Sequence, residues 1–335
     1  MSRYAEAHLN PAGPGDARPT ALQVIKDEAA EGKLAGKVIV ITGTSSGLGV
    51  ETARALSLTG AKLLLTARDL NKAKTALGGV LEPGRVELVE MDNSSLSSVR
   101  AAAEVILQKS NGQVNILINN AGIMALPKLE YTKDVFEMQF GVNHLSHFLL
   151  FELLKPALLA SASPAFSSRV VNVSSSAHHV ASINESGNYN FEKGGYNEWV
   201  SYGQSKTANI YMANEIERRY GSRGLHATSV HPGGIATGLM QHVDPGMLEE
   251  MHKDEKILKT MKSPEQGAAT TVWAAIAQEW EKKGGEYLAD CGTTTRGNDN
   301  HEITGTGFAG HAYNPKNEAR LWKDSLKMVG LTDDE

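Results

Sequence analysis

Thr42-Gly43-Thr44-Ser45-Ser46-Gly47-Leu48-Gly49 directly follows the apolar run Val38-Ile39-Val40-Ile41 and opens a stretch of helical period. It reads as a strand-to-helix turn built to hold a phosphate. Glycines let the backbone turn sharply and approach an anion, while the free N–H groups and positive dipole end of the following helix attract it. The turn recognises charge without a basic side chain, and a nucleotide becomes the first ligand to look for. An ordinary turn uses the same residues, so the surrounding chain has to decide.

Outward from that turn, short aliphatic and β-branched runs alternate with longer segments of helical period. The runs are Val38–Ile41, Leu63–Leu65, Val86–Val89, Ile116–Ile118, Val170–Val173, Ala227–Val230 and Glu286–Leu288. Most are apolar on every residue, and the gaps between them are long enough for crossover helices. That is the pattern of a parallel sheet buried on both faces. The expected fold is α/β, a single domain with a Rossmann-type doubly wound parallel sheet of about seven strands. Residues 1–34 form an N-terminal extension and 35–335 the domain. Within it, loops near 182–200, 238–262 and 290–315 lie where a ligand would be covered. The 290–315 stretch is rich in Gly, Thr and Asn, so disorder, a flexible cover and a binding element are all open for it.

Composition narrows the function classes. A net charge of −5 with no long basic run argues against a nucleic-acid partner held through phosphates. The single cysteine, Cys291, cannot close an internal disulfide, which fits a reducing compartment such as the cytoplasm. It is a buried bystander or, alternatively, a reactive thiol. Residues 1–20 carry three prolines and no apolar core, so they read as a loose tail rather than a secretory signal or membrane anchor. The longest apolar stretch, Phe148–Ala160, is interrupted by Glu152, Lys155 and Pro156 and is too short to span a bilayer.

Three further places carry chemistry. After the second strand the chain reads Leu65-Thr66-Ala67-Arg68, with no acidic residue to accept from a ribose 2′-hydroxyl. A guanidinium there can bind a 2′-phosphate bidentately, with Lys72 assisting and the Ser45 and Ser46 hydroxyls adding to phosphate recognition. This favours NADPH over NADH; a solvated arginine beside Asp69 is the alternative. Tyr202-Gly-Gln-Ser-Lys206 opens a helix-favouring run to Arg219, placing phenol and ammonium on one face at i and i+4. A tyrosine that trades a proton near neutral pH needs its phenolate stabilised, which a nearby cation does. Alone, such a pair also suits a surface helix. Ser174-Ser175-Ser176 follows the fifth strand, at the end of the sheet where open α/β folds bind ligands, and a hydroxyl there can hydrogen-bond a carbonyl oxygen.

Taken together, these residues resemble the short-chain dehydrogenase/reductase family over about residues 35 to 290. The likeness rests on Thr42-Gly43-x-x-x-Gly47-x-Gly49, Asn119-Asn120-Ala121-Gly122, Asn143, Ser175, Tyr202-x-x-x-Lys206, and Pro232-Gly233 with Thr237, in the family's order. The resemblance implies Tyr202 as acid/base, Lys206 as the residue that lowers its pKa and binds the nicotinamide ribose, Ser175 as the carbonyl-orienting hydroxyl, and Asn143 as holder of a proton-relay water. It also implies cofactor contacts from Gly43, Ser45, Ser46, Gly47, Leu48 and Gly49. Asp92 and Asn93 would face the adenine, Asn119, Ala121 and Gly122 the ribose. Pro232, Gly233, Ile235 and Thr237 would lie near the nicotinamide.

Within the family, Arg68, the Asn143–Phe148 segment, Val171–His179 and Ala319–Trp322 look like the retinol dehydrogenase and WW-domain oxidoreductase branch, which fungal secondary-metabolism reductases also resemble. The expected activity is NADPH-dependent reduction of a ketone or aldehyde to an alcohol, or the reverse, on a hydrophobic or secondary-metabolite substrate. A C=C reductase on the same fold and a non-catalytic NADPH-sensing scaffold are the alternatives. No metal is expected, because neither His144 with His147 nor His178 with His179 has Cys or Glu partners at ligand spacing. His178 could touch substrate, and His231 reads as a packing or turn residue. Met240, Met247, Met251 and Met261 fit an apolar lid or ordinary packing. A homodimer is possible through helices near 133–159 and 202–219, the dimer face in many relatives.

Overall fold

Seven parallel strands run Val38–Thr42 (β1), Lys62–Ala67 (β2), Val86–Glu90 (β3), Ile116–Asn119 (β4), Ser168–Val173 (β5), Leu225–His231 (β6) and Tyr287–Ala289 (β7); Gly292–Thr293 (β8) pairs antiparallel with β7 at the edge. In this computed structural model residues 2–299 and 301–333 are described. Met1 of the extension, Asn300 of the 290–315 segment, and Asp334 and Glu335 at the end of the domain lie outside the described residues.

The strand order is β3-β2-β1-β4-β5-β6-β7-β8. The chain therefore reverses direction across the sheet between β1 and β4, and the ends of these strands open a crevice. Successive side chains point to opposite faces. Val40, Leu64, Leu117 and Val170 pack under the helices Leu96–Lys109, Ser146–Ser161, Glu198–Tyr220 and Pro315–Met328. Ile39, Ile41, Leu63, Leu65, Ile116, Ile118 and Val171 pack under Ala21–Asp27, Leu48–Ser57, Leu70–Leu77 and Ala269–Ile276. A strand buried on both faces has no polar positions to spare, which is why its sequence is apolar throughout. Some rungs depart from this, and one is polar across four strands. Asn119, Asn172, Ser229 and Tyr287 are register partners across β4 to β7, with Asn119 donating to Asn172 at 2.8 Å and Asn172 to the Asn209 carbonyl at 3.2 Å. This polar rung lies at the carboxyl end, just beneath the crevice.

The extension is not a loose tail. Val24 and Ile25 on the helix Ala21–Asp27 are fully buried against the helix Ala269–Ile276, so the residues before β1 complete one of the two cores. Earlier in the segment, Arg18 is buried and bonded to backbone carbonyls of residues 259–261. Polarity misled the reading: the segment is held mostly by hydrogen bonds, which leave no hydrophobic period in the sequence.

The two outer loops also differ from simple covers. Residues 182–197 pack inward, with Tyr189 stacked on Phe140 at 5.2 Å and its hydroxyl on Asp324 at 2.6 Å. The described residues of 290–315 are tied down at several points. Ala309 N–H donates to His178 Nε2 at 3.0 Å, Tyr211 donates to the His311 carbonyl at 2.6 Å, and Tyr287 N–H donates to the Tyr313 hydroxyl at 2.9 Å. Its polar composition serves these anchors.

The C-terminal helix Pro315–Met328 covers the helices Ser146–Ser161 and Glu198–Tyr220. Trp322 lies edge-on to Phe148 at 4.9 Å and near Phe151 and Tyr220, Ser325 bonds His144 at 2.9 Å, and Glu318 accepts from Asn214 at 2.9 Å. The chain's own helix thus covers part of the helices Ser146–Ser161 and Glu198–Tyr220.

Candidate active site

The glycine turn is shaped as its spacing requires. Gly43 has φ +72° and Gly47 φ +60°, both left-handed values, and a Cβ on Gly43 would stand 2.7 Å from the Ala121 Cα. Gly47 caps the helix Leu48–Ser57 with no side chain to accept its first N–H groups, so they point into the crevice. Ser45 is half-buried and Ser46 exposed beside them. Asn120 holds the turn from behind, donating to the carbonyls of Thr42 at 2.8 Å and Gly43 at 3.2 Å. That role escaped the sequence reading although Asn120 stood inside a quoted motif.

Arg68 and Lys72 are exposed at the end of β2, with Asp69 turned away to cap the helix Leu70–Leu77 through the Lys72 N–H at 2.9 Å. The acidic neighbour is thus engaged with backbone. Asp92 and Asn93 reach the same rim, but their side chains have partners. Asp92 accepts from Ser94 and, at 2.9 Å, from Lys133, which with the other bonds holds its carboxyl below the ordinary value despite burial; Asn93 donates to Ser146 at 2.7 Å.

Asn143 sits in a π-turn, Gly141–Leu145, at the start of the long helix that continues through Ser161. Its side chain accepts from Ile123 N–H and donates to the Ile123 carbonyl and the Ser205 hydroxyl, each at 2.9 Å. Its carbonyl pairs with His147 Nδ1 at 3.0 Å, and His147 Nε2 meets the Thr42 hydroxyl at 2.8 Å. Thr42 in turn accepts from the Asn120 and Ala121 N–H groups. His147 therefore couples the asparagine to the glycine turn. Burial lowers its pKa to about 4, so it works as a neutral imidazole.

The serine run is resolved by hydrogen bonds. Ser174 donates to the Lys206 carbonyl at 2.8 Å and is buried, while Ser175 caps the short helix Ser176–His179 and its hydroxyl favours the ionised form of the Tyr202 phenol. Ser176 N–H donates to His231 Nδ1 at 3.1 Å, a turn role for that histidine. Tyr202 and Lys206 lie one turn apart on the helix Glu198–Tyr220, with the Lys206 Nζ 5.4 Å from the Tyr202 ring centre. The ammonium donates to the Val173 carbonyl at 3.1 Å and would be 3.5 Å from a Cβ on Gly122. Burial pushes Lys206 down to about 8 and raises Tyr202 above its ordinary value, with only the Ser175 hydrogen bond opposing the rise. Desolvation thus acts on both groups, disfavouring the phenolate and the ammonium alike.

Pro232 to Thr237 closes the far wall. Thr237 lies 3.6 Å from a Cβ placed on Gly47, Ile235 packs with Leu48 around Gly267, and Lys262 donates to the Pro232 carbonyl at 3.3 Å. Asn119 is one rung down, its amide spent on Asn172. His178 is corrected: both ring nitrogens are used, on the Ser175 carbonyl at 2.7 Å and the Ala309 N–H at 3.0 Å, and the ring is fully buried. It builds the wall rather than touching substrate. Cys291 is buried with its thiol pushed up to about 12, which removes it as a nucleophile. Among the described residues no group of three or more His, Cys, Asp or Glu is placed to hold a metal, and no helix is long and apolar enough to cross a membrane.

Residues 37–248 match the short chain dehydrogenase family. The chain is 52% identical over 334 residues to the short-chain dehydrogenase/reductase prx1 of Penicillium roqueforti, covering 99% of this chain and 96% of the relative. It is 36% identical over 302 residues to retinol dehydrogenase 12 of Homo sapiens, covering 89% and 88%. The crystal structure of an uncharacterised protein from Mycobacterium paratuberculosis is similar with a TM-score of 0.69 at 31% identity, covering 94% and 98%. The chain belongs to the short-chain dehydrogenase/reductase family, an oxidoreductase family that works with a nicotinamide cofactor. Its similarity reaches both fungal reductases and the retinol dehydrogenase branch.

Proposed function

We propose that this protein is an NADPH-dependent carbonyl reductase, interconverting a ketone or aldehyde and its alcohol, with Tyr202 as proton donor. The observation that carries the reading is the Ser175–Tyr202–Lys206 constellation, three side chains from two elements meeting where β5 ends beside the glycine turn. The residues fit a dinucleotide: an uncapped helix N-terminus for its pyrophosphate, the Arg68 guanidinium for a 2′-phosphate, and the Lys206 ammonium beside Gly122 for a ribose. A reduced nicotinamide bound there supplies the hydride.

The protein's own work is orientation and proton transfer. Ser175 donates to the substrate carbonyl oxygen and holds it against the Tyr202 phenol. As negative charge grows on that oxygen, the phenol gives up its proton, and the resulting phenolate is stabilised by the neighbouring Lys206 cation. Burial lowers the local dielectric and so strengthens this attraction. Asn143 fixes the Ile123 backbone and the Ser205 side chain that flank the pair. The half-buried Met240, Met247 and Met251 suit a hydrophobic substrate. The test is NADPH consumption against a panel of ketones and aldehydes with product analysis; carbonyl compounds left unreduced while an activated C=C bond is reduced would overturn the assignment.

A further inference from the structure

The segment 238–261 leaves the Pro232–Thr237 wall as a largely exposed flap, made of Gly238–His242, Pro245–Lys253 and Glu255–Thr260, and Val243 is its one buried side chain. So little buried surface cannot by itself fix the flap's position. Its root is held from elsewhere.

Arg18, only 4% exposed, donates from Nη1 to the Thr260 carbonyl at 2.8 Å and from Nη2 to the Met261 carbonyl at 2.6 Å, with the Lys259 carbonyl at 3.5 Å. The same guanidinium is oriented by Asp16 at 2.8 Å and the Gly13 carbonyl at 3.1 Å, and Gly13 N–H returns a bond to Lys259 at 3.0 Å. Gln266 locks the other side, donating to Asp16 and the Arg18 carbonyl and accepting from Gly15 N–H at 2.9 Å. The next residue after this root is Lys262, which is buried, pairs with Asp290 at 2.7 Å and donates to the Pro232 carbonyl. Lys262 N–H also bonds the Gly234 carbonyl at 2.8 Å, and its stem lies where a Cβ on Gly233 would be. Asp290 in turn faces His8 of the extension at 3.2 Å.

We propose that residues 8–18 are a strap that sets the position of the flap and, through Lys262, of the Pro232–Thr237 wall, with Arg18 and Lys262 as positioning residues for dinucleotide and substrate binding. A guanidinium that satisfies three successive carbonyls fixes both the path and the rotation of the chain leaving the flap. Lys262 carries that constraint directly into the turn facing Gly47. Neither residue touches the Ser175–Tyr202–Lys206 group, so the strap acts on affinity and not on the proton-transfer step.

The proposal rests on the dinucleotide reading, and the experiment separates the two. The full-length protein and Arg18→Gln are compared by NADPH titration, by kcat and KM, and by amide hydrogen exchange. The expected result is exchange about tenfold faster confined to residues 232–262, KM and the NADPH dissociation constant raised about tenfold, and kcat within about twofold, for loss of a few buried hydrogen bonds. Lys262→Met should reproduce the affinity loss, and it carries the test if Arg18→Gln does not fold. Faster exchange with unchanged KM, or equal loss of kcat and kcat/KM, would overturn the strap. A wild-type protein that binds no dinucleotide would instead overturn the function reading, and the coupling with it.

Discussion

The Lys206 ammonium donates to the Val173 carbonyl at 3.1 Å and lies 5.4 Å from the centre of the Tyr202 ring, so it is anchored to the strand end while facing the phenol's side. A cation held by backbone keeps its place whether the phenol is protonated or not. Its cost is desolvation, since the bond to Val173 does not replace the water it has lost.

Lys206→Met should therefore lower turnover by more than about a hundredfold, as expected when a positioned charge is lost from the transition state. Stability should not fall. Lys206 drops from 10.5 to about 8 on folding, so between those pH values the unfolded chain binds more protons and wild-type stability rises with pH. Below pH 8 the full penalty for burying the cation is present. Thermal melts from pH 6 to 10 should show the variant's advantage shrinking as pH rises through that window; a variant that melts far lower at every pH would refute the account.

Tyr202→Phe should reduce kcat by about a thousandfold or more, by removing the acid altogether. Dinucleotide affinity should stay within about twofold, because the phenol is assigned to the proton-transfer step. Ser175→Ala should lose about a hundredfold in kcat and about 1 kcal/mol of stability, since Ser175 also caps the helix Ser176–His179. Stopped-flow hydride-transfer rates and chemical denaturation check both. Retained turnover in Tyr202→Phe would exclude it as the proton donor.

Arg68→Ala should weaken NADPH binding about tenfold to a hundredfold while changing NADH binding little. On the proposed reading the exposed guanidinium at the end of β2 takes the 2′-phosphate, and the adjacent carboxylate, Asp69, is committed to its helix cap. Fluorescence titration with both dinucleotides decides it. Equal losses for both would mean that Arg68 does not read the phosphate.

The protein should sediment as a monomer at micromolar concentration, because Pro315–Met328 already covers the helices Ser146–Ser161 and Glu198–Tyr220. Trp322→Ala should cost about 3–5 kcal/mol, the usual price of deleting a buried tryptophan. Analytical ultracentrifugation of the wild type, and of a chain ending at Asn314, tests the covering role. A wild-type dimer insensitive to changes on this helix would place the interface elsewhere.

The parallel sheet was legible because burial on both faces forces runs such as Val38–Ile41 and Leu63–Leu65 to be apolar throughout. The glycine turn was legible because Gly43 and Gly47 occupy backbone conformations that other residues avoid. Tyr202 and Lys206 were paired by helical spacing alone, and the helix holds them on one side as that spacing requires. Where readings failed, the determinant was nonlocal. The polar residues before Thr20 looked disordered because their partners, at 259–261 and 266, are more than two hundred positions away. His178 looked free to meet substrate because nothing near it in sequence shows that Ala309 will take its second nitrogen.

The amino-acid sequence by itself therefore determined the period of the elements, the shape of the glycine turn and the one-turn spacing of Tyr202 and Lys206, all properties of short-range stereochemistry. Only the tertiary structure decided that Ser174 turns to the Lys206 carbonyl, that burial raises Tyr202 while lowering Lys206, that the C-terminal helix packs on the helices Ser146–Ser161 and Glu198–Tyr220, and that Arg18 bonds the carbonyls of residues 259–261. Desolvation and the satisfaction of buried hydrogen bonds depend on what the folded chain brings together, and no local pattern records it.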